Sequence, residues 1–269
     1  MLARPLYPQS LSGQPRYDAE VAVLQDVDDL VSTLRTIDSV DGVIVFGSRA
    51  RRDSSARSDL DVILIVDAAS NANQTRKAAK QIISPGKVKS SLVVYTASQL
   101  IVEIEQRPSF GAHLSDEAHF AYCADSCCKA REMVRNFIID DRALSRELDH
   151  ERESLDLFAD TDRFNRHFIS SLSRLYSIAR SIAIIKLLQA GVHEYRWQEI
   201  FGKLSEIYPE LKDDLKLLAS LRPFYEYFID RRTELIRDEL PNEDDIATKI
   251  AQSVRALRLL AERGEGSSD

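Results

Sequence analysis

The chain has 269 residues, 44% hydrophobic and 29% charged, the balance of a soluble globular protein with one large or two ordinary domains. Its net charge of −7 supplies no global basic field to gather long nucleic acid, although a local basic patch would serve for a tRNA, and a cationic small molecule is mildly favoured. No apolar run approaches the roughly 20 residues of a membrane span, and the first twenty residues lack a signal peptide's apolar core. Cys123, Cys127 and Cys128 are too few and too clustered for a disulfide framework, so reduced, buried thiols in a cytoplasmic protein are expected.

Residues 1–17 carry three prolines and read as an irregular arm. A helix is expected over Tyr17–Ile37, with Val23, Val27, Leu30, Val31 and Leu34 at helical spacing. Val43–Phe46 and Val62–Val66 are short β-branched apolar runs, which suit buried strands. Ser70–Ile83 reads as a helix ended by Pro85-Gly86, Lys87–Tyr95 as a third strand, and Thr96–Glu105 as a short helix. His119–Cys123 is a weaker strand candidate. From Asp125 onward the pattern is helical throughout: Cys127–Phe137, Asp141–Phe158, Thr161–Ala190, Trp197–Tyr208, Asp213–Asp238 and Asp244–Arg263. The fold class is therefore α+β, with a mixed-sheet domain over residues 1–125 and an all-α bundle over 126–269.

The chemistry concentrates in Val43–Val66, VIVFGSRARRDSSARSDLDVILIV. Side chains at i and i+2 of a strand share a face, so Asp59 and Asp61 project together while Leu60 and Val62 enter apolar packing. Two adjacent carboxylates repel unless a cation lies between them, and a hard divalent ion with oxygen ligands is the natural occupant. Gly47 allows a tight turn after the first strand, and the Ser48 hydroxyl and N–H can hold a phosphate oxygen. A phosphate cradle joined to a metal clamp is what phosphoryl or nucleotidyl transfer requires. The other reading is a strand–loop–strand hairpin with two solvated aspartates.

Gly47-Ser48, ten residues, then Asp59-Leu60-Asp61 resembles the signature of the DNA polymerase β-like nucleotidyltransferases. The likeness is to small bacterial members, the minimal and the aminoglycoside nucleotidyltransferases, and Arg49-Ala50-Arg51 and Arg57-Ser58 resemble that group too. The resemblance implies NTP binding, ATP for preference, at Gly47, Ser48, Arg49, Arg51 and Ser58, and Mg²⁺ or Mn²⁺ at Asp59 and Asp61. It implies an adenylyltransferase-like enzyme that moves AMP to a hydroxyl or phosphate of a small molecule, a protein side chain or an RNA end such as that of tRNA. LYSIARSIAIIKLLQAG is similar to the second helix of HEPN domains, which often accompany minimal nucleotidyltransferases. The arginine–histidine motif of HEPN ribonucleases has no match, so that activity is not expected. A homodimer is compatible with this reading.

Such sites usually carry a third carboxylate on a later strand. Here the equivalent position is Ser91, and no Asp or Glu lies between Asp67 and Glu103. Three explanations compete: a base from the helical domain, an acceptor that needs none, or a protein that binds nucleotide without turnover. The last is an antitoxin-like regulator of a toxin–antitoxin or defence system. On the long helix, Arg163, His167, Ser170, Arg174, Ser177 and Ser181 share one face. That face is either the solvated side of an amphipathic helix or a route by which Arg174 reaches triphosphate with its planar, two-pronged guanidinium.

Overall fold

A computed structural model describes residues 25–51, 60–83, 90–158, 168–229 and 243–263. The described residues fall into two compact units, one from within Met1–Ala97 and Ala118–Cys128 and the other from within Ser98–Glu117 and Lys129–Asp269.

The first unit is built on a four-stranded mixed sheet of order β3-β2-β1-β4. Its elements are α1 (Gln25–Leu34), β1 (Val40–Phe46), the single turn α2 (Ser48–Arg51), β2 (Leu60–Val66), α3 (Ala72–Ile83), β3 (Ser90–Thr96) and β4 (His119–Cys123). β1 pairs antiparallel with both β2 and β4, and β2 pairs parallel with β3. A parallel pair needs a crossover, and α3 supplies it. Beyond Asp61, both faces of β2 are dry. Leu60, Val62, Leu64 and Val66 pack with Val31, Leu34, Val43, Val45, Ala79 and Ile83, while Ile63 and Ile65 are fully buried on the other side. The continuous apolar run in β2 is the pattern of a strand covered on two faces.

β1 and β2 run slightly past their apolar runs, because ladder pairing continues beyond the most hydrophobic residues; β4 spans the expected His119–Cys123, and β3 is described from Ser90, with residues 84–89 outside the described set. The first helix is described from Gln25, and residues 17–24 lie outside the described set. The thiols depart from expectation. Cys127 is buried, but Cys123, at the end of the edge strand β4, and Cys128, at the start of the helix that follows, are only half-buried. Burial beside Cys123 pushes the Cys127 thiol up to about 12, so it is an inert packing group.

The second unit comprises α4 (Ala97–Gln106, from Ser98 onward), α5 (Pro108–Glu117), α6 (Cys128–Arg135, from Lys129), α7 (Asp141–Asp156), α8 (Phe168–Gln189), α9 (Ile200–Ile207), α10 (Lys212–Ala219), α11 (Arg222–Phe228) and α12 (Glu243–Glu262). α8 is its axis. By length and composition α8 could cross a membrane, but most of it is buried within its own unit, as a core helix is. Leu175, Ile178, Ile182 and Ile185 form the expected apolar face. Leu172, Tyr176, Ala179, Ala183 and Leu187 are buried too, so the solvated side is a narrow stripe at Arg174 and Ser177. Gly191 closes the helix at φ +73°, with Val192 N–H donating to the Leu187 carbonyl at 2.8 Å and Gly191 N–H to Leu188 at 2.9 Å. That paired closure is the Schellman arrangement expected of a glycine at this place.

Two helices differ from expectation. α5 was not foreseen, since Pro108 and Gly111 blur its periodicity, although proline is well suited to a first helical position. The single helix expected from Asp213 breaks at Ser220-Leu221, and α11 restarts with Pro223 in its first turn. The remainder of that expected helix lies outside the described residues.

The start of α5 is held by a buried acid. Glu147 accepts from the Ser109 N–H at 2.9 Å and the Ser109 hydroxyl at 2.6 Å. Burial raises its pKa above the ordinary carboxyl value, with the Ser109 bonds pulling the other way. A raised folded-state pKa gives stability that is full below the unfolded value of 4.5 and is lost as pH rises through the folded value. Glu147→Gln keeps an acceptor for the N–H and donates to the Ser109 oxygen without carrying charge. Its melting temperature relative to the parent should therefore rise between pH 4 and pH 8. A difference that falls over that range would contradict this.

Candidate functional site

β1 delivers the chain to Gly47, which is buried and sits at φ +75°, a left-handed conformation that glycine adopts without strain. α2 begins at once, with Arg51 N–H donating to the Gly47 carbonyl at 3.0 Å. Ser48, Arg49 and Arg51 are half-buried on this turn.

β2 brings Asp61 against the same turn. A Cβ built on Gly47 would collide with Asp61 Oδ2, so the carboxylate occupies the space that the missing side chain leaves. Asp61 lies opposite Phe46 on β1 and opposite Ser91 on β3. Laterally paired residues of a sheet point to one face, so Phe46, Asp61 and Ser91 form a row across three strands. Leu60 and Val62 face the opposite way, at 3% and 1% exposure, which leaves the acid half-buried at the lip of an apolar strand.

Gly47, Ser48, Arg49, Arg51 and Asp61 are thus drawn together by one strand–turn–strand unit, and Ser91 stands beside its acid. Ser58, Asp59, Arg52 and Arg57 lie outside the described residues, as do Arg163 and His167 of the helical unit. Arg174 is exposed on α8. Among the described residues no three His, Cys, Asp or Glu side chains converge as a metal cluster. Asp61 places a carboxylate oxygen, the kind of ligand a hard divalent ion takes, against the Gly47 turn.

Residues 28–107, from within α1 to the end of α4, match the family model described as "Polymerase beta, Nucleotidyltransferase". They are a polymerase β-like nucleotidyltransferase domain. No curated protein matches the chain. A polymerase β-like domain carries out nucleotidyl transfer from an NTP and typically uses divalent metal. The match covers β1, the Gly-Ser turn, β2 and β3, three of the four strands of the first unit's sheet, together with α4.

A feature the sequence did not announce lies in the helical unit. A cleft of about 250 Å³ opens between α9, α10 and α11 over Tyr176 of α8. Its wall carries Trp197, the only tryptophan in the chain, standing beside Arg196 in a polar stretch whose composition alone marks no site.

Proposed function

We propose that the protein transfers AMP from ATP to a hydroxyl or phosphate acceptor, releasing pyrophosphate, with Mg²⁺ or Mn²⁺ as the required ion. The observation that carries this reading is the Asp61 carboxylate seated in the space beside Gly47, which joins acid and turn into one site.

In this reading the N–H groups of Gly47 and Ser48 and the Ser48 hydroxyl hold the β- and γ-phosphates, while Arg49 and Arg51 offset their charge. Ser58 and Arg174 are further candidates for contact with the nucleotide. Asp61 and Asp59 would hold the divalent ion, which would supply neutralisation of the charge developing around the α-phosphate. The acceptor oxygen bonds to the α-phosphorus as the bridging bond to the β-phosphate breaks, and pyrophosphate departs. A phosphate acceptor is already ionised and needs no base. A hydroxyl acceptor must lose its proton, and Ser91 cannot take it as a carboxylate would.

One observation favours a second reading. Ser91 stands in register with Asp61, where a third acid would complete the site, so the protein would bind nucleotide and regulate without turnover, as an antitoxin-like component of a toxin–antitoxin or defence system. Pyrophosphate release from each of the four NTPs, with and without Mg²⁺ or Mn²⁺ and across an acceptor panel, separates the two. Metal-dependent release with ATP supports transfer. Calorimetric ATP binding without release across the panel supports regulation, and absence of both overturns each.

The cradle has its own test. Ser48→Ala should weaken ATP binding by about 1–2 kcal/mol, roughly 5- to 30-fold in Kd, the loss of one charge-assisted hydrogen bond. Unchanged calorimetric affinity would remove Ser48 from the phosphate site.

A further inference from the structure

We propose that the helical unit carries a second binding site, the cleft beside Trp197, and that it takes a small planar aromatic anion. The inference does not rest on nucleotidyl transfer, because every residue involved belongs to the helical unit.

The floor of the cleft is apolar and firmly packed. Tyr176, Phe201 and Leu215 are 3%, 7% and 1% exposed, and all three line the cavity. Trp197 is different, since the residue is 40% exposed and stands on the wall of a concavity. Aromatic surface left wet inside an apolar cleft gains free energy when a flat ring covers it. The cavity of about 250 Å³ is just under the size of pockets for drug-sized molecules, which suits one ring or two fused rings. Gly202 keeps one side open: a Cβ there would meet nothing within 4 Å. A ring can therefore approach the α9 backbone while stacking near Trp197.

The polar groups set the charge of the ligand. Arg222 lies over the Trp197 ring and is ion-paired with Glu226, which is itself 9% exposed. Ring and guanidinium are thus fixed before any ligand arrives, which lowers the ordering cost of binding. Lys216 stands at the same mouth, and its ion pair with Asp213 is largely exposed, at 67% and 96% for the two side chains. Exposed pairs of this kind are weak and exchange readily for a ligand anion. A cationic ligand would meet a Trp197 face already covered by a guanidinium, with a lysine beside it. An aromatic carboxylate or phosphate meets complementary charge at the rim and complementary shape at the floor.

Trp197 makes the test direct, because as the sole tryptophan its fluorescence reads this cleft alone. The full chain, without NTP or divalent metal, is titrated with benzoate, benzyl alcohol, cyclohexanecarboxylate, benzylamine and AMP. Benzoate should change the emission saturably, and the neutral alcohol and the non-planar acid should bind about tenfold more weakly, each having lost one half of the recognition. AMP binding as well as benzoate would place a purine nucleotide in the same class, whereas AMP failing would restrict the class to compact carboxylates. Gly202→Leu fills the open side and should abolish saturation while helix content by circular dichroism stays at the parent level. Lys216→Ala, an exposed change that leaves packing untouched, should weaken benzoate about five- to tenfold and leave benzyl alcohol unaltered. Asp61→Asn should leave every titration unchanged. A response that never saturates, that survives both cleft variants, or that favours benzylamine over benzoate would overturn the proposal.

Discussion

Asp61→Asn is expected to abolish metal-dependent nucleotidyl transfer while the protein melts at or above the parent temperature. Asn is nearly the same shape as Asp, so β2 keeps its pairing with β1 and β3 and the buried run from Val62 to Val66 is undisturbed. What changes is charge. The carboxylate lies against Gly47, where the phosphates of a bound nucleotide would approach, and only an intervening cation makes that approach favourable. An amide gives a divalent ion one neutral oxygen in place of an anionic one. Metal-ion catalysis supplies several kcal/mol of transition-state stabilisation, and each 1.36 kcal/mol is tenfold, so a loss of about 10³-fold or more is expected. Asp59→Asn should do the same if strand alternation continues one step before Leu60. Turnover near the parent rate at matched Mg²⁺ would make the site assignment wrong. A drop in melting temperature of many degrees would assign Asp61 a structural role instead.

The geometry around Gly47 and Asp61 was legible because its signals are local. Gly47 announces a left-handed turn, the apolar runs on either side announce buried strands, and alternation alone fixes which way Asp61 faces. The place of Ser91 was also readable, because a parallel strand after a crossover helix must lie beside β2, and its register brought residue 91 to residue 61. Contacts between distant segments were not readable. Nothing in Pro108–Glu117 advertises a helix whose first turn is held by an acid 38 residues later. Nor does local pattern reveal that Ser98–Glu117 packs with the helices that follow β4 rather than with the sheet before it. The apolar stripe of α8 was visible, but its burial on nearly every side depends on how many helices surround it. The break at Ser220-Leu221 was missed for a simpler reason: apolar spacing continues through it, and a proline in a helix's first turn stops nothing. The cleft at Trp197 is assembled from four helices and the loop before one of them, so no single stretch of sequence contains it.

Ser91→Asp should raise turnover by tenfold or more if the missing acid limits the rate. Ser91 is exposed on β3, so a carboxylate there costs little burial, and its register sets it next to Asp61 on the same face of the sheet. A third acid beside the proposed pair would strengthen the hold on divalent metal and could accept the proton of an attacking hydroxyl. General-base catalysis contributes about 10²–10⁴-fold where proton removal is limiting, and that is the ceiling for the gain. The gain should depend on the acceptor. A hydroxyl acceptor needs a base and should respond, whereas a phosphate acceptor is ionised already and should respond only through tighter metal binding. Two observables separate these effects: the Mg²⁺ concentration for half-maximal rate, and the rate at saturating Mg²⁺. A fall in the first alone means that the new acid only binds metal. A rise in the second with hydroxyl acceptors means that proton transfer limits the parent. If another group already takes the proton, an added negative charge repels the acceptor and the nucleotide phosphates, and the rate at saturating Mg²⁺ falls. Pyrophosphate release by parent and Ser91→Asp, measured with one hydroxyl and one phosphate acceptor over a Mg²⁺ series, decides among these outcomes. An unchanged rate and an unchanged Mg²⁺ dependence with both acceptors would mean that position 91 does not face the reacting groups at all.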